Sequence, residues 1–327
     1  MNGILSAFLM VITFALSFIL IRKVEQTYST VFINFIRAII GLSCFALYTL
    51  FIGQIHHIFD LNFLIWGILG ASIIFGVVIG DTAFFKCQKF IGPTNAATFA
   101  ITSPIFTMIL AILILGDSFQ WILLLSSIIT GAGVYLLVHL QQNSDEEQEA
   151  KTTDNLSETE MNKLRLISGS LFGLLASLAW SFANIYSEMG LGLSENELQI
   201  DSNIYVVTNI IRYLVASTCM GSWWMINRSK KKKNSVDFHN NESPDSSRKL
   251  MSILILSAIL GTFLGEIFFG ITIVKMGSTF IAIMGSSLPV FTIPLNYIIN
   301  KEKLNIKSLP GIVITLGGVF ILIFASS

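Results

Sequence analysis

What this sequence has least of is charge. Asp, Glu, Lys and Arg make up 12% of 327 residues against 53% hydrophobic, where soluble domains carry about 25% charged residues. So few charges cannot solvate a surface of that size, which excludes a soluble globular protein and leaves an integral membrane protein. The 20 basic and 20 acidic residues balance, so bulk charge gives no ground for nucleic-acid binding. Cysteine is limited to Cys44, Cys87 and Cys219, each inside an apolar segment, where it reads as a small core residue and not as part of a disulfide or metal set. The chain has no Walker sequence, no Gly-rich nucleotide loop after a strand, no His-Glu-x-x-His and no nucleophile elbow. No ATP hydrolysis, catalytic residue, cofactor or metal is therefore expected. His56 and His57 fall where an apolar segment ends, and neighbours on a helix do not face one another, so they are read as an interfacial loop.

Long apolar runs are abundant instead. A helix needs about 20 apolar residues to cross a hydrocarbon core of roughly 30 Å. Ten segments meet that length: 3–21, 31–51, 61–87, 94–115, 119–140, 166–187, 204–227, 250–274, 278–299 and 308–325. Their continuity excludes the alternating stretches of a membrane barrel. Segment one is read as retained, because no basic side chain precedes it while Arg22 and Lys23 follow it. The polar, acid-rich stretch 141–165 reads as a linker between units 1–140 and 166–327, each with five segments.

The two units share a sequence pattern. Adding 185 carries Gly76, Gly80, Phe84, Gly92, Thr94, Ala97, Pro104, Phe106, Thr107 and Gly133 onto Gly261, Gly265, Phe269, Gly277, Thr279, Ala282, Pro289, Phe291, Thr292 and Gly318, and places Asp81 on Glu266. At smaller offsets Ser17 falls on Ser181, and Asn34 and Arg37 on Asn209 and Arg212. This is an internal duplication. An odd number of crossings per copy turns the second copy upside down, giving an all-α membrane protein of ten transmembrane helices in two inverted five-helix repeats.

Of the 20 Lys and Arg residues, 17 lie in the connections after segments one, three, five, seven and nine, and the opposite connections hold only Lys275. Positive charge stays cytoplasmic, so this count puts both termini outside. The run Lys230 to Lys233 reads as a topology anchor, the other reading being lipid or partner binding.

Four ionisable residues lie within the spans: Arg37, Asp81, Arg212 and Glu266. Each costs on the order of 2.5 to 3.5 kcal/mol at a helix centre. Arg37 and Asp81 sit roughly 10 to 12 Å deep from one face at 1.5 Å per residue, and Arg212 and Glu266 are placed alike from the other. Two ion pairs follow, Arg37 with Asp81 and Arg212 with Glu266. They either alternate as gates with one acid exchanging protons, or only neutralise one another and fix helix register.

Pro104 and Pro289 fall at matching positions inside apolar segments, where proline breaks a helix and frees carbonyls. Around them stand Thr98, Thr102, Ser103, Ser286, Ser287 and Asn296, and segment six adds Trp180, Ser181 and Asn184, with Ser17 in the other copy. These residues either line a substrate cavity or cap broken backbone and pack. Gly76 with Gly80 and Gly261 with Gly265 are small-xxx-small patterns, read as close helix packing.

With these features the chain resembles the EamA group of the drug/metabolite transporter superfamily. The resemblance rests on two five-helix repeats, on Ala179-Trp180-Ser181-Phe182, on Arg37 and Arg212 in the second helix of each repeat and the prolines in the fourth. It rests also on Gly116-Asp117 and Lys301-Glu302 where the family commonly has Gly-Glu. The chain departs from the pattern at Leu16, which stands where the other copy has Trp180, at Asp117 for Glu and at Lys301 for Gly. The resemblance implies a secondary active transporter in the plasma membrane, usually an exporter of a small metabolite, amino acid or drug-like compound, driven by H+ or Na+, monomeric or homodimeric. It also implies termini in the cytoplasm, opposite to the charge count. The competing class is a polytopic membrane enzyme or receptor that moves no solute.

Overall fold

A computed structural model describes residues 2–25, 27–149, 156–198, 203–234, 244–300 and 309–326. Within these, the side chains of 92–95, 97, 98, 141–149, 156–164, 229–234, 244–247, 296, 300 and 326 are outside the description. Among the described residues the chain is helical and has no strand. The first half contains α1 (Gly3–Val24), α2 (Thr30–Phe51), α3 (His57–Asp60), α4 (Phe63–Ile73), the π-helical π1 (Ile74–Asp81), α5 (Thr82–Ala100), α6 (Ser103–Leu110), π2 (Ala111–Leu115) and α7 (Trp121–Glu149). The second contains α8 (Leu156–Leu198), α9 (Ile204–Asn234), α10 (Pro244–Ser257), π3 (Ala258–Gly265), α11 (Glu266–Ser286), α12 (Leu288–Asn300) and α13 (Leu309–Ser326). Asn2, Ser29 and Asn62 cap α1, α2 and α4 by accepting the N–H of Ile4, Phe32 and Ile65, which satisfies donors that the first turn leaves free.

Seven helices among the described residues are long and apolar enough to cross a membrane. One of them, 248–299, covers two of the expected segments, which meet at a kink inside α11 where Gly277 is non-helical (φ 82°, ψ 171°), a backbone conformation that glycine adopts freely. Two further apolar helices, Ser103–Leu115 and Leu309–Ala325, are shorter. The first is short because α5 stops at Ala100 and α6 restarts at Ser103 with Pro104 in its opening turn. There proline loses no hydrogen bond, since the N–H it lacks has no partner in a first turn. Pro289 stands in the same place, just inside α12 after α11 ends at Ser286. Both prolines thus open new helices.

Packing between the halves follows the duplication. Helix α1 lies against α10, π3, α11 and α12, and its counterpart α8 lies against α4, π1, α5 and α6. Helix α2 packs on its counterpart α9, and α7 on α13. The last pair is antiparallel. A Cβ built on Gly133 would stand 2.8 Å from the Thr315 Cα, one on Gly311 2.6 Å from the Leu137 Cα, and one on Gly318 2.6 Å from the Thr130 N. Rising numbers on one helix therefore meet falling numbers on the other. Thr130 and Gly133 are the repeat counterparts of Thr315 and Gly318, so each half presents the same residues to the other, as a two-fold axis across the helices requires.

The paired glycines serve the same crossing. A Cβ on Gly80 would come 2.6 Å from the Trp180 ring, on Gly261 2.6 Å from Ser17, and on Gly265 2.6 Å from Phe14, while one on Gly76 would touch Ala183 at 3.4 Å. Each glycine faces the first helix of the opposite half, and three of them leave no room for a methyl group.

Candidate functional site

The two acids reach the interior at the ends of matching irregular segments. Segments π1 and π3 are repeat counterparts; π1 ends on Asp81, and π3 ends one residue before Glu266. A π turn widens the helix by one residue and rotates the succeeding turns about the axis, and such turns recur at functional sites.

Between the halves lies a cavity of about 360 Å³, within the range of small-molecule sites. Helix α1 serves as a ruler for it. The lining runs along α1 from Met10 through Phe14, Phe18 and Arg22 to Glu25 just beyond, about 22 Å at 1.5 Å per residue. The opposite end of α1, at Gly3, lies against Lys275 and Met276. The cavity thus reaches the end of α1 that carries Arg22 and Lys23, beside Gln88 of α5, and stops short of the other. Burial pushes the Glu25 carboxyl up at this mouth, against the pull of Arg22 and Lys89.

Arg37, Asp81, Arg212 and Glu266 all line this cavity, but the two pairs are not equally made. Arg212 Nη1 donates to Glu266 Oε2 at 2.7 Å and to Asn209 Oδ1 at 2.7 Å, and its Nε donates to Ser72 Oγ at 3.1 Å. The guanidinium also lies 5.6 Å from the Phe269 ring centroid. Arg37 Nη1 stands 3.9 Å from Asp81 Oδ2, beyond hydrogen-bond range. Asp81 instead accepts from the Trp180 indole N–H at 3.1 Å. Arg37 Nε and both amide atoms of Asn34 are buried without a hydrogen-bond partner among the described residues. Sequence supplies Asn-x-x-Arg and an acid twice; the structure hydrogen-bonds the second set and leaves the first as a long ion pair without a direct hydrogen bond.

Ser103, Trp180, Asn184, Ser286 and Pro289 also line the cavity. Ser286 donates to the Ile283 carbonyl and Ser103 stands 3.3 Å from Ser181 Oγ. Ser17, Thr102, Ser181 and Ser287 are turned to backbone: Ser17 donates to the Ser257 carbonyl, Thr102 to Phe99, Ser181 to Ser103 and Ser177, and Ser287 to Met284. Pro104 is buried next to Ser103. The side chains of Thr98 and Asn296, like Lys301, Glu302 and the side chains of Lys230 to Lys233, lie outside the described residues.

Several polar residues at the cavity, among them Asn34, Arg22 and Gln88, and the half-buried Glu188 escape the sequence reading. Asn34 is visible there as a repeated Asn three residues before an Arg, a spacing that puts both on one helix face. Arg22 sits in the last turn of α1, and Gln88 lies one residue past the expected end of segment three, where polarity reads as loop although α5 runs on to Ala100. Glu188 lies one residue past the expected end of segment six, yet α8 continues to Leu198. Its Oε2 accepts the Ser278 N–H at 2.7 Å, tying α8 to the break at Gly277. Gly277 and Ser278, with Asp117 and Lys275, line a second cavity of about 370 Å³ at that end.

His56 and His57 do approach one another, ring centroids 4.0 Å apart, contrary to the helical-neighbour argument. The reason is that His56 precedes α3 and is not part of it. Their ligand atoms and that of Asp60 lie within 4.8 Å of one another, and none of the three lines the cavity between the halves.

The profile of the EamA-like transporter family matches residues 1–139 and 167–324. A solved structure, described only as the crystal structure of a protein, is similar with a TM-score of 0.71 over 99% of this chain and 97% of that one, at 12% identity. At that identity the likeness shows the fold alone. Comparison with curated proteins gave no match.

Proposed function

This chain belongs to the EamA-like transporter family, and from that membership and the cavity we propose a ten-span secondary carrier of two inverted five-helix repeats. It sits in the plasma membrane and exports a small metabolite, amino acid or drug-like compound by alternating access, coupled to H+ or Na+. The observation that carries this reading is the inequality of two repeat-equivalent ion pairs around one cavity. The Asn-x-x-Arg sequence is the same in both halves while its hydrogen bonds differ, and we read that difference as one of conformation, accompanied by the shorter acid at Asp81 and the indole of Trp180 that engages it. Arg212 with Glu266 is the closed pair and Arg37 with Asp81 the open one, and the other state exchanges the roles. The antiparallel meeting of Gly133 with Thr315 and Gly318 with Thr130 supports the inverted repeat.

The cavity extends to the Lys- and Arg-rich face and ends before the face where Glu188 holds Ser278. By the charge rule that richer face is cytoplasmic, so the site stands ready to load from inside, which suits export. The test is a thermal-shift screen of metabolites on the purified protein, followed by counterflow of the hits in proteoliposomes. Accumulation of labelled solute against unlabelled solute is the expected result. A solute that binds tightly and never exchanges across the sealed bilayer would favour a receptor or enzyme instead.

A further inference from the structure

The carrier reading leaves open what the cavity recognises, and the solute class assigned to it rests on that reading. Arg37 presents a guanidinium to the cavity with no hydrogen bond to any described residue, one acid at 3.9 Å, and a buried Nε without a partner. An arginine in a low-dielectric site is stabilised chiefly by charge-assisted, forked hydrogen bonds, and a carboxylate is the group that completes the fork. The acids are differently placed. Glu266 is engaged by Arg212 and Asp81 Oδ1 by the indole N–H of Trp180, whereas Arg37 has no hydrogen bond at all among the described residues. Asn34, one turn before Arg37, holds a further amide donor that is buried and unused, whereas its counterpart Asn209 is bonded to Arg212.

We propose that Arg37 is the docking point for the carboxylate of the carried solute, an organic monoanion whose apolar remainder lies against Phe14, Phe18, Phe84 and Trp180. All four rings line the same cavity, and its volume admits a body of that kind. Asn34 supplies the second donor once the anion draws its amide toward the site. Arg212 is not the docking point in this state, because its Nε and Nη1 are already bonded within the protein.

The probes are 3-phenylpropionate, its uncharged amide and 3-phenylpropylamine, titrated against the full-length protein in nanodiscs. The carboxylate is expected to bind about 10- to 100-fold more tightly than the amide, the worth of a charge-assisted hydrogen bond. Arg37→Gln brings the carboxylate down to the level of the amide, and Arg212→Gln keeps the preference. Arg37→Lys, which retains charge but not the fork, gives an intermediate loss and serves if the glutamine variant does not purify. Tighter binding of the amine, absence of binding by all three probes, or a carboxylate preference that survives in Arg37→Gln overturns the proposal. Counterflow separates the two readings. Carboxylate binding without exchange contradicts the carrier and upholds the docking site, while exchange of the amine without carboxylate binding does the reverse.

Discussion

Removing Arg212 and removing Arg37 have unequal consequences if the two ion pairs are in different states. Arg212 has three hydrogen bonds, two of them at 2.7 Å, and its side chain is 7% exposed. Arg212→Gln leaves Glu266, whose side chain is 14% exposed, without its partner, and loss of one member of a buried pair costs about 3 to 5 kcal/mol. Arg37 makes no hydrogen bond among the described residues and stands 3.9 Å from Asp81, which keeps its bond from Trp180. Arg37→Gln therefore removes a long pair without breaking a hydrogen bond and costs less, on the order of 1 kcal/mol, about what one net hydrogen bond is worth. Thermal unfolding of the two purified variants in one detergent reads the difference. Arg212→Gln lowers Tm by about 5 °C or more, and Arg37→Gln by a degree or two. Equal losses would refute the reasoning, since they would mean that both pairs hold the fold alike and neither is open.

Three other outcomes depend on particular contacts. Gly318→Ala puts a methyl group against the Thr130 backbone, which neither helix can relieve without moving, and loses about 1 to 3 kcal/mol by overpacking; Gly317→Ala, with nothing within 4 Å, is close to neutral in the same unfolding assay. Trp180→Phe keeps the ring contact with Phe84 but removes the indole bond to Asp81, a loss of about 1.5 to 3 kcal/mol by equilibrium unfolding, while Asp81→Asn in the same background adds little more. Ser235→Cys, in the basic connection, reacts with an impermeant thiol reagent only from the cytoplasmic side of oriented vesicles, as the lysine and arginine count requires.

The residue pattern already contains the duplicated architecture and the location of the charged pairs, because both depend on identity and spacing. Repeated glycines mark where helices approach closely, and a repeated acid marks where a polar group faces the interior. What the pattern does not contain is the difference between the halves. Asn34 and Asn209 are the same residue with the same spacing to an arginine, yet one is bonded and the other is not, and that spacing alone does not separate them. Hydroxyl direction is equally hidden. Ser17, Ser181 and Ser287 look like cavity residues by composition, but each satisfies itself on a nearby carbonyl, the cheapest option for a hydroxyl without water. Glu188 is hidden because hydropathy ends segment six just before it, while the helix itself continues and uses that carboxylate to cap the chain at Gly277.

The claim that the shared cavity opens to one face at a time is tested most directly by a cysteine at Asn184, which lines it, with Cys44, Cys87 and Cys219 replaced by alanine. In sealed, oriented vesicles an impermeant thiol reagent should modify Asn184→Cys from the Lys- and Arg-rich face. Adding Glu188→Gln weakens the hold on Ser278, so modification from the opposite face should rise as modification from the first face falls. Labelling that rises from one face without falling from the other, or no labelling from either, would contradict the account.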